Sequence, residues 1–280
     1  MTLLHVMAYI IWDINPDIFT IPIINHPLRW YGLFFASGFL ISQQIMYFIY
    51  KKEGRSTTEI DTLTLYTVVA TIVGARLGHV LFYDPVYYFQ NPHKIIMTWE
   101  GGLASHGGAI GILIAIYLFA RKTNVSYLWI LDRIVIVVAL TGCMIRLGNL
   151  MNSEMIGIPT NLPWGFIFTS KDSIPRHPAQ LYEAIYCFIL FIFLFWVWYK
   201  QKDRIKNGFL FSWFLIILFS LRFIDEFFKI NQEQFEDGMV LNMGQILSIP
   251  FVLTGIVVLI LNISKKRENI SADKIVVERE

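Results

Sequence analysis

The sequence has few charged residues and few cysteines for its length. Charged side chains make up 16% of the 280 residues, hydrophobic side chains make up 55%, and the mean hydropathy is +0.54. A soluble domain of this size does not normally carry so large an apolar fraction, so the composition indicates a polytopic integral membrane protein. The formal net charge of +2 gives no reason to expect a nucleic-acid partner.

The two cysteines, Cys143 and Cys187, both lie in apolar stretches. They form neither a disulfide framework nor a metal-ligand spacing, so we expect no bound metal and no cofactor. The Gly-x-Ser-x-Gly, Walker and His-Glu-x-x-His motifs are also missing from the sequence. Residues 1–22 lack a basic segment and a small-residue cleavage site. We therefore predict no removable signal peptide.

What the sequence does contain is a series of long apolar segments. A helix needs about 20 apolar residues to cross the hydrocarbon core. We predict seven transmembrane helices, at roughly 28–50, 62–82, 103–120, 128–148, 179–199, 208–226 and 243–263. No long polar linker and no internal repeat divides them. We therefore predict one all-α membrane domain over 1–263, with a turn-rich extracytoplasmic cap at about 150–177 and a charged cytoplasmic tail at 264–280.

The charges of the connections predict the orientation of the chain. Basic residues follow the first, third, fifth and seventh segments, for example Lys51 and Lys52 after the first. An acidic run, Glu233, Glu236 and Asp237, follows the sixth segment. Because short basic connections stay in the cytoplasm, we predict that the N-terminus lies outside and the C-terminus inside.

In this orientation polar residues lie toward the outer ends of the apolar segments, and the inner halves are mostly Ile, Leu, Val and Phe. Ionisable groups within a membrane are costly and usually functional. We therefore predict one site that faces the outer leaflet rather than a pore. Its candidate residues are Tyr31, Arg76, His106, Arg146, Asn149, Glu154, Gly157, Arg222 and Glu226.

The arginines in this set have two interpretations. Arg222 and Glu226 lie four residues apart on one helix face, and they either form a structural ion pair or Glu226 orients Arg222 toward an anion. Arg146 shares a face with Asn149, and an arginine near a helix end can also extend to the lipid headgroups. Two arginines on separate helices, each followed by a carboxylate (Glu154 and Glu226), favour a clamp for a phospholipid phosphate.

His106 lies between Gly101-Gly102 and Gly107-Gly108, where missing side chains allow close approach. Its imidazole suits acid–base chemistry, and the alternative is that it ties a helix start to a neighbouring element. Arg76 lies within the small-residue pattern Gly74–Gly78, which we predict to be a helix-packing face. Inside a membrane Arg76 needs a partner, either a carboxylate or a lipid phosphate.

Taken in order, these segments resemble the prolipoprotein diacylglyceryl transferase family. The resemblance covers nearly the whole chain, and the Arg146-to-Gly157 segment is its most specific part. The matching segments are Arg29–Gly32, Gly74–Gly78, Gly102–Gly108, Arg146–Gly157, Arg176–Glu183, Arg222–Glu226 and Met243–Ser248.

The resemblance implies a transfer reaction in the bacterial plasma membrane. Members of the family move the diacylglyceryl group of phosphatidylglycerol onto the lipobox cysteine of a preprolipoprotein, which forms a thioether and releases glycerol 1-phosphate. The substrate thiolate is the nucleophile, so the chain's own cysteines need no role. The resemblance implies catalytic roles for His106, Arg146, Arg222, Glu226 and Tyr31, and a phosphatidylglycerol site of Arg146, Asn149, Glu154, Gly157, Arg222 and Arg76. Which group takes the proton from the thiol stays open.

The chain departs from the family at four positions. Ser153 and Leu150 stand where glycine and phenylalanine are expected, Leu218 where tyrosine is common, and Lys229 where arginine is common. The change at Leu218 removes a polar contact to the site.

Three other classes of function fit the sequence less well. A transporter would place its polar groups near the bilayer midplane, within repeated halves. An intramembrane protease needs a serine–histidine dyad or paired aspartates, and the neighbours Ser105 and His106 point to different faces of a helix. A scaffolding protein would not need so many ionisable groups within the membrane.

Overall fold

The computed structural model describes residues 9–22, 26–231, 236 and 238–277. The helices are α1 (Trp30–Lys52), α2 (Thr58–Phe82), α3 (Pro85–Gln90), α4 (Ser105–Thr123), α5 (Tyr127–Met151), α6 (Ala179–Gln201), α7 (Phe209–Asp225) and α8 (Met243–Val277). The strands are β1 (Ile10–Trp12), β2 (Asp17–Ile21), β3 (His26–Arg29), β4 (Phe166–Phe168) and β5 (Pro175–Arg176). Short 3₁₀ turns lie at Pro92–Ile96, Thr98–Glu100 and Glu226–Phe228.

Six of these helices lie within a few residues of the predicted segments at both ends, α8 matches its segment only at the start, and the short helix α3 is additional. Five are long and apolar enough to cross a membrane: α1, α2, α5, α6 and the Met243–Ser264 part of α8. The remaining two, α4 and α7, have 19 and 17 residues. The chain is therefore a mostly helical, multi-pass membrane protein. The helix α8 continues to Val277, beyond the predicted end at 263.

The short strands were not predicted, because segments of two to five residues are too short to show a periodicity. Strand β1 pairs in parallel with β4, and β4 pairs antiparallel with β5, so two strands of this sheet come from the segment predicted as a cap. Trp12 of β1 donates from its indole nitrogen to the Leu150 carbonyl at 3.0 Å. Leu150 also packs with Phe166 and Phe168, so the sheet is anchored on the end of α5. Of the predicted acidic run, Glu233 and Asp237 lie outside the described residues.

The chain forms two compact units. The large unit consists of the residues up to Ser42 together with those from Ile134 onward, and the small unit is Gln43–Arg133. In the large unit α6 and α8 both pack on α7, with Phe219 stacked on Phe251 at 4.3 Å between ring centroids. Leu218 packs beside a buried apolar cluster of Cys143, Ala184 and Cys187.

The small unit is built on the pair α2 and α4, whose backbones touch at glycines. A methyl group added at Gly107 would collide with the Gly74 carbonyl and would lie 2.8 Å from the Gly78 Cα. Glycine and other small residues at an interface let the backbones of two membrane helices approach closely. The prediction that Gly74–Gly78 is a packing face is therefore confirmed.

A buried ion pair in the small unit was not predicted. Arg133 lies at the start of α5 and binds Glu53 through two guanidinium nitrogens, with Nη2–Oε2 at 2.9 Å. The Arg133 guanidinium also lies over the Trp129 ring at 4.2 Å. The mostly apolar composition of this part of the sequence gave no indication of the pair. The hydrophobic runs hide such a pair, because its two members are 80 residues apart.

Candidate functional site

In the large unit, buried charged side chains from α5, α6 and the segment after α7 come together. Arg146 Nε lies 2.8 Å from Glu183 Oε2, and Lys229 Nζ lies 2.5 Å from Glu183 Oε1. The Glu183 and Lys229 side chains are 4% and 2% exposed. Glu183 therefore bridges two cations in a place that water hardly reaches. The sequence suggested that Glu154 is the carboxylate that accompanies Arg146. In the structure the carboxylate in direct contact with Arg146 is Glu183 of α6, and Glu154 lies in the turn after α5.

Lys229 also contacts the two carboxylates at the end of α7. Its ammonium donates to Glu226 Oε1 at 3.1 Å and lies 3.3 Å from Asp225 Oδ2. Glu226 accepts a second hydrogen bond from the Asn242 amide at 3.2 Å. Arg222 Nη2 lies 3.6 Å from Glu226 Oε1, so the predicted proximity of Arg222 and Glu226 is present, with Lys229 as a closer partner of Glu226.

The charges of this group balance. The group, called the ion cluster below, consists of Arg146, Glu183, Arg222, Asp225, Glu226 and Lys229. Its three cations and three carboxylates are paired by the contacts above, which offsets the cost of removing them from water. The two arginines are its most exposed members, with 36% of the Arg222 side chain and 17% of the Arg146 side chain accessible. Their outward N–H groups can donate to an anion.

A chain of amides extends from Arg146 to Glu154. Arg146 Nη1 donates to Asn149 Oδ1 at 3.3 Å, and Asn149 Nδ2 donates to Glu154 Oε2 at 3.2 Å. The Asn152 amide donates to the other oxygen of Glu154 at 3.2 Å, and the Gln180 amide donates to the Glu154 backbone carbonyl. The structure thus brings Arg146, Asn149 and Glu154 together, as predicted, and adds Asn152 and Gln180.

Gly157 has a structural reason to be glycine. A methyl group at this position would lie 2.5 Å from the His177 carbonyl oxygen and 2.6 Å from the Phe228 carbonyl oxygen. The Gly157 N–H donates to His177 O at 2.9 Å, and the Ile158 N–H donates to Phe228 O at 2.9 Å. Three backbone segments therefore meet here, and the last of them leads directly into Lys229. A contact of Gly157 with lipid stays a prediction.

Tyr31 lies in the first turn of α1 and packs on α5. A methyl group at Gly148 would lie 2.9 Å from the Tyr31 ring and 3.2 Å from its Cα. Gly148 is two residues from Arg146 and next to Asn149, so the tyrosine ring lies beside the segment that carries both.

Ser153 stands where the family pattern led us to expect glycine. Its φ is 52°, in the left-handed region that favours glycine, and the φ of Met155 is 57°. The turn that follows α5 therefore requires an unusual backbone at both positions, and Ser153 adopts it at some cost in strain.

Arg76, in the small unit, differs from the prediction. It is 4% exposed, and its guanidinium donates to five backbone carbonyls at 2.5–3.2 Å. The acceptors belong to Lys94, Ile95, Met97, Gly101 and Gly102. A guanidinium has five N–H groups, so none is left for a phosphate. The assignment of Arg76 to phosphatidylglycerol binding is therefore corrected: it organises the loop between α3 and α4.

His106 lies in the first turn of α4 and is exposed. The helix start is fixed from two sides. The Ala104 N–H donates to the Ala75 carbonyl at 2.9 Å, and Gly107 packs on the backbone of α2. Arg76, next to Ala75 on α2, holds the loop that leads into this turn. The structure therefore presents His106 on a rigid support.

A polar chain in the large unit was not predicted. The Trp164 indole donates to the Tyr182 hydroxyl at 2.9 Å, and that hydroxyl lies 3.1 Å from His177 Nδ1. Because the hydroxyl accepts from Trp164, its own proton is available for Nδ1, which favours a neutral His177 protonated on Nε2. Burial lowers the pKa of His177 from its usual value near 6.5. Nearby, hydrogen bonds from Arg176 lower the pKa of Asp172.

Two further features bear on what the site can bind. Within the described ranges, no group of three or more His, Cys, Asp or Glu side chains is arranged to hold a metal ion. A cavity of about 320 Å³ opens between α7 and α8. Its lining residues are Ser220, Phe223, Ile224, Ser248, Ile249, Val252 and Leu253. This lining carries no charge, so the cavity suits hydrocarbon rather than phosphate.

Sequence reasoning assigned no role in the site to Glu183, Asp225 or Lys229. Glu183 carried a usable signal, because it is a carboxylate inside an apolar segment. Asp225 and Lys229 lie four residues apart, but nothing in that spacing shows that both face α6. Only the packing of α6 on α7 brings them to Glu183.

Comparison with known proteins gives a consistent result. Residues 16–261 match the family model described as prolipoprotein diacylglyceryl transferase. A phosphatidylglycerol–prolipoprotein diacylglyceryl transferase of Tolumonas auensis is 48% identical over 257 residues, which cover 91% of this chain and 98% of that protein. Proteins of the same name from Porphyromonas gingivalis and Chloroherpeton thalassium are 47% and 45% identical, over 89% and 90% of this chain and 93% and 94% of their own lengths.

Proposed function

Since the chain belongs to the prolipoprotein diacylglyceryl transferase family, we propose that it transfers the diacylglyceryl group of phosphatidylglycerol to the lipobox cysteine of preprolipoproteins. In this reaction a carbon–sulfur bond forms and the bond from the same glycerol carbon to the phosphate oxygen breaks. The thiol gives up its proton, and glycerol 1-phosphate leaves. The product is the thioether-linked precursor of a mature lipoprotein, so the chain acts at the first step of lipoprotein maturation.

The observation that carries the proposal is the pair of arginines in the ion cluster. The departing phosphate carries negative charge that the site must stabilise. Glu183 holds Arg146 by one edge, at Nε, and Glu226 lies 3.6 Å from one nitrogen of Arg222. The N–H groups that remain on these two partly accessible guanidiniums can then donate to phosphate oxygens in the geometry that arginine favours.

The remaining site residues take supporting roles in this proposal. Asn149 and Glu154 orient Arg146 through the amide chain, and Tyr31 packs against the same turn of α5. Gly157 allows the close backbone approach beside Lys229. His106 is the candidate base for the substrate thiol, because it is exposed in the first turn of α4 and an imidazole nitrogen can accept a proton.

We further propose that α4 and α7 complete a set of seven spans in the bacterial plasma membrane. The predicted orientation places the N-terminus outside and the active site toward the outer leaflet. The segment around β4 and β5 then covers the site as an extracytoplasmic cap. This placement suits the substrates, because a lipobox cysteine lies at the outer end of its signal-peptide helix.

The test is a transfer assay with purified protein in detergent. Phosphatidylglycerol and a lipobox peptide are added, and release of glycerol phosphate and the mass of the peptide are followed. A matched peptide with serine in place of cysteine is the control. Release that depends on the cysteine is the expected result. Folded protein that binds lipid and releases nothing would point instead to a lipid-binding or transport role.

A further inference from the structure

We propose that Lys229 is a positioning residue that keeps the two arginine–carboxylate pairs in register, and that Asp225 anchors Lys229 for this task. The inference rests on the proposed function, since its purpose is to set the spacing of Arg146 and Arg222 around a lipid phosphate. Neither Lys229 nor Asp225 needs to touch the substrate. Lys229 acts on the arginines through Glu183 and Glu226, and Asp225 acts through Lys229.

The contacts of the Lys229 ammonium carry the inference. It lies 2.5 Å from Glu183, 3.1 Å from Glu226 and 3.3 Å from Asp225. All four side chains are at most 9% exposed. Three carboxylates thus surround one ammonium: Glu226 accepts a hydrogen bond from it, and Glu183 and Asp225 form ion pairs with it. The Lys229 side chain is 2% exposed, so the contacts of its ammonium are with these carboxylates rather than with the surface.

Two of these carboxylates are the partners of the arginines. Glu183 binds Lys229 through Oε1 and Arg146 through Oε2, at 2.5 and 2.8 Å. Glu226 lies 3.1 Å from Lys229 and 3.6 Å from Arg222, in both cases through Oε1. Lys229 therefore links Arg146 on α5 to Arg222 on α7 through a continuous series of ion pairs, and the position of its ammonium sets how the two guanidiniums face each other.

Removing the lysine would change the arginines as well. Glu183 and Glu226 would lose a shared cation in a place of low dielectric, and each would turn further toward its own arginine. The guanidinium N–H groups that face outward would then be drawn toward carboxylates. Lys229 thus keeps Arg146 and Arg222 partly unoccupied and available for an anion.

Asp225 is the third carboxylate that contacts the Lys229 ammonium. It is 5% exposed and lies four residues before Lys229. Without this charge, the ammonium would be attracted only to Glu183 and Glu226 and would shift toward them. The backbone of Lys229 is held independently, because Gly157 pairs with it as an isolated bridge and the flanking Phe228 carbonyl accepts from Ile158. A change at Asp225 should therefore move the side chain of Lys229 and leave the backbone in place.

The test uses Asp225→Asn, which keeps the shape of the side chain and removes its charge. We measure kcat and KM for phosphatidylglycerol, phosphatidylglycerol binding in nanodiscs, and the thermal unfolding midpoint. The expected result is a roughly tenfold loss of kcat/KM and weaker lipid binding, with an unfolding midpoint close to that of the unchanged protein. Lys202→Met, which removes an ion pair with the 84%-exposed Asp203, is the control and should change none of these values.

A double variant separates positioning from a merely structural role. In the Arg222→Gln background, Asp225→Asn should change lipid binding and kcat/KM by less than about twofold, because one of the two arginines to be positioned is gone. Lys229→Arg, which retains the charge, should retain more activity than Lys229→Met. The inference would be overturned if Asp225→Asn left the kinetics and lipid binding unchanged. It would also be overturned if Asp225→Asn caused the same fold-loss of kcat/KM in the Arg222→Gln background as in the unchanged protein.

The proposed function and this inference fail differently. If the unchanged protein releases no glycerol phosphate, the proposed function fails, whereas the binding measurements still test the link from Asp225 to the arginines. If the unchanged protein is active and the variants match it, only the inference fails.

Discussion

Arg76 in the small unit and Arg222 in the large unit both lie near the C-terminal ends of apolar helices, and they differ in what occupies their N–H groups. Arg76 is 4% exposed and donates to five carbonyls. The Arg222 side chain is 36% exposed and lies 3.6 Å from one carboxylate, that of Glu226. From the sequence the two had the same interpretation, as ligands of a lipid phosphate.

The difference shows what distinguishes a structural arginine from a candidate ligand inside a membrane protein. A guanidinium must satisfy all its donors away from water. The irregular loop 94–102 offers backbone carbonyls as acceptors. The N–H groups of Arg76 donate to them, so the hydrogen-bonding groups of both the loop and the arginine are satisfied. A carboxylate engages only part of the fork, so an arginine paired in this way keeps donors for a ligand. Arg76 thus serves the architecture of the small unit, whereas Arg146 and Arg222 of the large unit stay partly accessible.

Among the variants, His106→Gln has the largest expected effect, because we propose His106 as the base for the substrate thiol. His106→Gln keeps the size and polarity of the side chain but cannot accept the thiol proton. Loss of a general base costs about 10²–10⁴-fold in rate, so most transfer activity should disappear while the protein still inserts and binds phosphatidylglycerol. His93→Gln, a change at an exposed histidine of the same unit, is the control. Full activity of His106→Gln would remove His106 from the mechanism.

Arg222→Gln tests the large unit's side of the comparison. Loss of a donor to a developing negative charge costs about 10²–10³-fold in kcat. Since the Arg222 side chain is 36% exposed, the thermal unfolding midpoint should change little. The kcat and the thermal unfolding midpoint are compared with those of the control Arg204→Gln, which changes an exposed arginine. A destabilised variant with normal activity per folded molecule would make Arg222 structural and remove its difference from Arg76.

Arg76→Lys should show the reverse pattern. A lysine offers three donors where five carbonyls now accept, so some carbonyls of the loop lose their partners. The expected loss of stability is on the order of 2 kcal/mol, with phosphatidylglycerol affinity per folded molecule unchanged. The exposed Arg121→Lys is the control. A stable variant with weakened lipid binding would restore Arg76 as a ligand.

The smallest effect is expected from pH, and it concerns the segment beside Gly157 rather than the ion cluster. Burial lowers the pKa of His177, so below pH about 6.5 the unfolded chain binds a proton more readily than the folded one. Stability should therefore fall as pH decreases from 7 toward 5. The lowered pKa of Asp172 acts in the same direction only at more acidic pH, near and below its ordinary value.

The measurement is the thermal unfolding midpoint of the protein and of His177→Gln over this pH range. The glutamine variant should show a flatter dependence. An equally steep decline in both proteins would assign the effect to other groups.

Much of the fold was predictable from the sequence. Long apolar runs must form helices in a membrane, since every backbone N–H and C=O has to be satisfied within the segment. The helix bounds followed to within a few residues, except at the C-terminal end of α8. The strands around β4 were not predictable, because they depend on contacts between Trp12 and the end of α5. The buried pair of Arg133 and Glu53 was not predictable either, because its two members are 80 residues apart in the sequence.

For the site, the local spacings were informative and the long-range partners were not. Arg222 with Glu226 and Arg146 with Asn149 lie one helical turn apart, so helix geometry alone places them together. Glu183 lies 37 residues after Arg146 and 46 before Lys229, as the sequence numbering gives. No local pattern states that it bridges them.

The sequence by itself therefore determined that the chain is a helical membrane protein, which family it resembles, and which residue types the site holds. These follow from hydrophobicity, helix periodicity and the order of the motifs, all of which are properties of neighbouring residues. The tertiary structure alone decided which carboxylate pairs with which arginine, that Lys229 joins them, and that Arg76 has no free donor. Those outcomes depend on which helix faces pack together, and in a low-dielectric interior the packing decides how each charge is satisfied.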